Sequence, residues 1–263
     1  MLKKLIKYDL KNIYKVLIIF YSLSLLFAIL TRIFLSIEGS FIINIIGKVC
    51  SGVTISMIFN ILINNIMRLW ARFKQNLYGD ESYLTHTLPV AKETLYNSKI
   101  VSAFITLFTS ILVIALTLFI AYYSKENIET LKGLLLPLEE VYNTTIIKIL
   151  LAFFLVFFLE IYNALQTGYT GIILGHKMHN IKTGYSVIYG FITYTLSQLF
   201  NLVIIFIFAL FNSEIMNLFF TKEMISVDII KTIVFIAIFS YTLTLILNYF
   251  INLKLFKKGV NID

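Results

Sequence analysis

The sequence predicts an all-α integral membrane protein with six transmembrane helices. Of its 263 residues, 59% are hydrophobic and only 14% are charged. The mean hydropathy is +0.88, and the apolar residues are gathered into six long runs separated by short charged gaps. A soluble fold of this length cannot hide so much apolar side chain without leaving large sticky patches. A helical span needs about 20 mostly apolar residues, because no water in the hydrocarbon can satisfy a backbone amide. The runs that meet this are residues 16–36, 41–66, 100–122, 145–166, 187–211 and 229–253. The first follows five lysines, as a secretory signal would, but it is too long and ends in Thr31-Arg32-Ile33 with no small-residue cleavage site.

The formal net charge of +8 is informative only by position. Nucleic-acid binders concentrate basic residues on one polar face, whereas these lie in the gaps between apolar runs. Fifteen lysines and arginines fall on one side: Lys3, Lys4, Lys7, Lys11, Lys15, Arg68, Arg72, Lys74, Lys92, Lys99, Lys177, Lys182, Lys254, Lys257 and Lys258. The other side holds Lys125, Lys132 and Lys222 together with Glu38, Glu126, Glu129, Glu139, Glu140, Glu214, Glu223 and Asp228. Basic residues in short loops resist translocation, so both termini are expected in the cytoplasm. The single cysteine, Cys50, lies within an apolar run and supports neither an intramolecular disulfide nor a metal cluster.

Taken in order, residues 1–15 read as an amphipathic interfacial helix. Leu2, Leu5, Ile6, Leu10 and Ile13 recur at helical spacing, and snorkelling lysines would hold the segment flat on the inner leaflet. The cytoplasmic loop 67–99 is too long for a simple connection. Leu69, Trp70, Phe73 and Leu77 continue the second span as an amphipathic helix, opposite Arg68, Arg72 and Gln75. Gly79 is placed as a C′ glycine, Leu84 to Pro89 is expected to be extended before the proline, and a helix restarts over Val90 to Ser98. Such a folded, partly apolar projection suits docking on a soluble partner. An acidic external stretch, Ser124 to Asn143, separates two three-span halves.

Asn60, Asn64 and Asn65, at the polar end of the second span, are expected to bond between helices, and Gly168, Gly171 and Gly175, just after the fourth, to permit close helix packing. Glu160 lies deep in the fourth span, where an ionised carboxylate needs a partner; Lys48 of the second span is the candidate. His176 and His179 are spaced i and i+3 but lack a third ligand, so they read as a solvated or headgroup-facing loop and no metal site is assigned. The stretch 212–228 is too apolar for a free external loop and reads as short interfacial or re-entrant helices. There is no G-x-x-x-x-G-K-[ST] motif, so the chain is not expected to hydrolyse ATP, and no catalytic residue is assigned.

The loop carries a resemblance. Arg72, Phe73, Asn76, Leu77, Asp80, Glu81, Tyr83, Leu84, Thr85, Thr87, Leu88, Pro89 and Val90 follow the order RF-x-x-NL-x-x-DE-x-YLT-x-TLPV. This resembles the first cytoplasmic loop of ABC-transporter permeases of the type-two exporter superfamily, particularly the short Firmicute-type permeases. Ser82 stands where glycine is common in that family. The specific likeness is confined to this loop; six spans and internal termini extend it diffusely over residues 1–263. The resemblance implies a single permease domain in a bacterial plasma membrane, dimerising with a second copy, identical or not, and moving an amphipathic peptide, drug or lipid. It also implies that the loop is a coupling element seated on a separate ATP-binding subunit, which would hold the ATP and magnesium. The loop residues it singles out are Arg72, Phe73, Asp80, Glu81, Tyr83, Leu84, Thr85, Leu88 and Pro89. A non-transporting scaffold or immunity-type protein shares the composition but not a reason for the loop motif. An intramembrane enzyme would need a polar catalytic constellation, and only Glu160 and the peripheral histidines are available.

Overall fold

A computed structural model describes residues 1–37, 40–178, 181–212, 215–216 and 227–259, with backbone alone for 137–138, 140–142 and 227–230. Eight helices follow one another among these residues: α1 (Leu2–Leu35), α2 (Phe41–Leu77), α3 (Ser82–Thr87), α4 (Lys92–Tyr122), α5 (Lys125–Tyr142), α6 (Ile146–Gly175), α7 (Lys182–Phe211) and α8 (Val227–Lys257). Six of them, α1, α2, α4, α6, α7 and α8, are long and apolar enough to cross a membrane. The chain is thus a multi-pass membrane protein.

The chain forms two compact units, residues 1–130 and 131–263. In the first, α1 packs on both α2 and α4, and α2 carries α3. Hydroxyls hold the long helices together: Tyr14 bonds Thr109 at 2.7 Å, Tyr21 bonds Ser110 at 2.7 Å and Thr31 bonds Thr54 at 3.0 Å. Helices attract one another weakly in lipid by apolar contact alone, so small and hydroxylated side chains at the seams supply the specificity. Asn65 follows this expectation, donating to Ser110 at 2.7 Å. Asn60 and Asn64 instead donate back to their own helix, at Ser56 O and Asn60 O.

In the second unit α6 packs on α7 and α8. Gly171 and Gly175 bring α6 against the α7 backbone: a Cβ at Gly171 would overlap the Ser186 carbonyl and the Gly190 backbone, and one at Gly175 would overlap Ser186. The close packing expected of these glycines is present. The stretch 124–143 is helical as α5, with Ser124 Oγ accepting from the Asn127 amide at 3.0 Å as an N-cap.

Several expectations are corrected. Residues 2–15 are no separate interfacial helix; they continue unbroken into the first span as α1, whose 34 residues reach about 51 Å at 1.5 Å per residue. The segment Leu84 to Pro89 is not extended throughout, because α3 occupies Ser82–Thr87; Leu88, before the proline, is extended with φ −63° and ψ 137°. Proline restricts only the residue immediately before it. The following helix starts at Lys92, two residues later than Val90, with Ala91 extended at its N-cap. Gly79 does stand one residue beyond the Tyr78 C-cap of α2. His176 is buried with its Nδ1–H on Ile172 O at 2.8 Å, not solvated, while His179 lies outside the described residues. Of the expected interfacial helices over 212–228, Ile215 and Met216 are helical and most of the remainder lies outside the described residues.

Candidate functional site

The end of α2 carries Arg68, Arg72 and Asn76 at i, i+4 and i+8, which places all three on one helical face. That face meets the N-terminal part of α1. Arg68 Nη2 donates to Asn12 Oδ1 at 2.6 Å, and the Arg72 guanidinium lies 5.5 Å from the centre of the Tyr8 ring. Arg72 Nε approaches Asp9 Oδ1 at 3.4 Å. Lys99, from the first turns of α4, donates to the same carboxylate, 2.7 Å from Oδ1 and 2.8 Å from Oδ2. Asp9 and Arg72 are each 2% exposed and Lys99 5%. Charges so sealed from water persist only when paired.

The other arm of Arg72 reaches the loop. Its Nη1 donates to both oxygens of Glu81 at 2.7 Å. Asn76 Nδ2 donates to Glu81 Oε2 at 3.1 Å and to Thr85 Oγ1 at 3.0 Å. Glu81 is the N-cap residue of α3, and Thr85 Oγ1 donates to its carbonyl at 3.0 Å. Two acids and two bases, Asp9, Glu81, Arg72 and Lys99, therefore make one balanced network that ties α1, α2, α3 and α4 together. Partial burial would raise the Glu81 carboxyl, but the bonds from Arg72 and Asn76 and the charges of Arg72 and Lys99 outweigh it and hold the group below its ordinary range. Phe73 fills the space behind, with ring centres 6.2 Å from Tyr78 and 6.4 Å from Tyr96.

This base fixes which side of α3 is offered outward. Ser82 and Thr85 are buried toward α2, whereas Tyr83 is 62% and Leu84 75% exposed. Leu88, Pro89, Thr87 and Asp80 are exposed beside them. The structure thus brings Arg72, Phe73, Glu81 and Thr85 together as the seat, and Asp80, Tyr83, Leu84, Leu88 and Pro89 as the presented tip. Arg72 is not on a solvated helix face as its periodicity suggests, because its two carboxylate partners come from elsewhere in the chain.

Comparison with protein-family models, characterised proteins and solved structures returned no match to the chain. The geometry therefore stands on its own.

Asp9 and Lys99 were not among the residues singled out from sequence. The available signal was that Asp9 is the one acid among the lysines that precede the first span. In the second unit, Glu160 accepts from Tyr194 Oη at 2.5 Å and from Gln198 Nε2 at 3.0 and 3.2 Å, both on α7. Its hydrogen-bond partners are thus neutral side chains of α7; Lys48, the candidate from the sequence, is exposed on α2. A buried polar column adjoins it: Asn163 donates to Ser197 at 3.0 Å and accepts from Asn248 at 3.0 Å, Asn252 donates to Gln166 O at 3.1 Å, and Thr244 donates to Asn201 at 2.6 Å. Among the described residues no group of three or more His, Cys, Asp or Glu is disposed to hold a metal ion.

Proposed function

We propose that the chain is the membrane-spanning permease subunit of an ATP-binding-cassette exporter that moves an amphipathic or hydrophobic substrate. The observation that carries this reading is the pairing of an exposed apolar tip, Tyr83, Leu84, Leu88 and Pro89, with a buried ion-paired seat. An exposed Leu and Tyr on a six-residue helix bury little surface within the chain, but they suit insertion into a groove of a soluble subunit. The seat then matters mechanically. A push on α3 passes through Glu81 to Arg72 on α2, and from Arg72 to Asp9 and Lys99 on α1 and α4, so three membrane helices feel one displacement.

On this reading α3 is the coupling helix, both termini and the loop face the cytoplasm, and the partner holds the ATP and magnesium. Two permease copies in a bacterial plasma membrane enclose or border the transport route. The motif running from Arg72 to Val90 supports the same assignment.

The test is co-purification with a Walker-motif ATPase encoded beside this chain. Wild-type chain is expected to retain the ATPase through size-exclusion chromatography, and Leu84→Glu to lose it while remaining monodisperse in the membrane extract. A Leu84→Glu chain that keeps both the ATPase and ATP-dependent transport would overturn the proposal.

A further inference from the structure

We infer that Glu160, together with Tyr194, Gln198 and Tyr241, forms a binding site for the positively charged head of a cationic amphipath. The inference deepens the exporter reading by giving its substrate class, and it rests on that reading only for the purpose the site serves.

Depth comes first. Glu160 lies about 21 Å along α6 from Ile146 and about 22 Å from Gly175 at 1.5 Å per residue, which puts it at the middle of a spanning helix. A carboxylate at that depth is costly and needs a partner. Its partners are all neutral: the Tyr194 hydroxyl and the Gln198 amide donate to it, and Tyr241 Oη in turn donates to Gln198 Oε1 at 3.4 Å. Three donor contacts reach its two oxygens. None of the side chains that bond Glu160 is basic, so the groups that hold it supply no positive charge.

Exposure separates this cluster from the polar column beside it. Asn163, Ser197, Asn201 and Thr244 are buried and bonded to one another, as expected of groups that only glue helices. Glu160, Tyr194, Gln198 and Tyr241 are half-buried, so the row's charged neighbour lies in a cluster that a ligand can still reach. A single carboxylate without a second acidic ligand is a poor match for a divalent ion. One positive charge balances it, and Tyr194 and Tyr241 beside it are side chains of the kind that attract an ammonium or phosphonium. Phe157 and Phe153, at i−3 and i−7 on α6, are exposed on the same stripe and provide apolar surface for the body attached to that head.

The experiment compares two probes that share three phenyl rings but differ in charge, methyltriphenylphosphonium and triphenylphosphine oxide. Their binding to the purified full chain is measured by equilibrium dialysis. Wild-type chain is expected to bind the phosphonium about tenfold more tightly than the oxide, and Glu160→Gln, which keeps the shape and the Tyr194 contact, to bind the two alike. Equal binding of the two probes by wild type would overturn the inference, as would an undiminished preference in Glu160→Gln. The wild-type comparison needs no substitution, so it decides the matter even where the variant fails to fold. No ATPase is present in the assay, so failure of the cation site and failure of the exporter reading are separate results.

Discussion

The Lys99 ammonium sits 2.7 and 2.8 Å from the two carboxylate oxygens of Asp9, joining residues 90 positions apart in a place almost sealed from solvent. The two residues belong to α4 and α1, and no apolar contact would force the register that this pair imposes. Arg72 shares the same carboxylate, so Asp9 balances two cations from two helices.

Removing Asp9 therefore leaves two buried cations short of a partner. Asp9→Ala is expected to destabilise the chain by about 3–5 kcal/mol, the usual cost of breaking a buried pair from one side. Lys99→Met alone should cost less, because Arg72 still balances Asp9. The double variant Asp9→Ala with Lys99→Met should be more stable than Asp9→Ala alone. Thermal unfolding of the four chains in one detergent gives the cycle; additive losses would show that the two residues do not interact.

Glu81 makes the seat of α3 pH-dependent. Its folded-state value lies below the ordinary one, held there by Arg72 and Asn76 against partial burial. A depressed carboxylate contributes stability that is fully present above its unfolded value of about 4.3 and is lost as pH falls toward and through the folded value. The Glu81 side chain is 42% exposed, so solvent screens part of that contribution. Thermal unfolding as a function of pH in one detergent reads that contribution. The wild-type melting temperature is expected to fall on acidification below the ordinary glutamate range, and Glu81→Gln should lack that part of the fall.

The contrast between spans and seat follows from what periodicity records. Six apolar runs were legible because hydrocarbon thickness sets a length that the sequence must meet. Residues 2–15 read as a membrane-surface helix because five lysines dominate the pattern; Asp9, the residue that carries this segment inward, is one letter among them. Arg72 reads as solvated because the pattern counts residue types and not partners. Pro89 suggests an extended Leu84 to Pro89, but its restriction reaches only Leu88, while Asn76 and Glu81 hold the preceding turn as helix. On α8, Thr244, Asn248 and Asn252 stand at i, i+4 and i+8, a visible polar stripe, but their partners on α6 and α7 are set by tertiary packing.

Close approach of α6 and α7 gives a steric test. A methyl added at Gly171 would overlap the Ser186 carbonyl and the Gly190 backbone, neither of which can swing aside. Gly171→Ala is expected to cost about 1–3 kcal/mol through forced separation of the helices. Gly52→Ala, where a Cβ meets nothing within 4 Å, should instead gain about 1 kcal/mol from helix propensity. Thermal unfolding of the two variants checks the pair, and equal shifts would show that α6 and α7 do not touch through backbone.

Sidedness of the α3 tip is testable through the single cysteine. Cys50 is buried in α2, so Cys50→Ala removes the background thiol at the cost of a small cavity. In that background Leu84→Cys places a thiol at a position that is 75% exposed on α3. A membrane-impermeant maleimide is expected to label it in inside-out vesicles and not in intact cells, because the basic residues at this end of α2, Arg68, Arg72 and Lys74, resist translocation. A thiol at Lys132 on α5, introduced the same way, should show the opposite pattern. Labelling of Leu84→Cys from outside intact cells would invert the topology and remove the tip from the reach of any cytoplasmic ATPase.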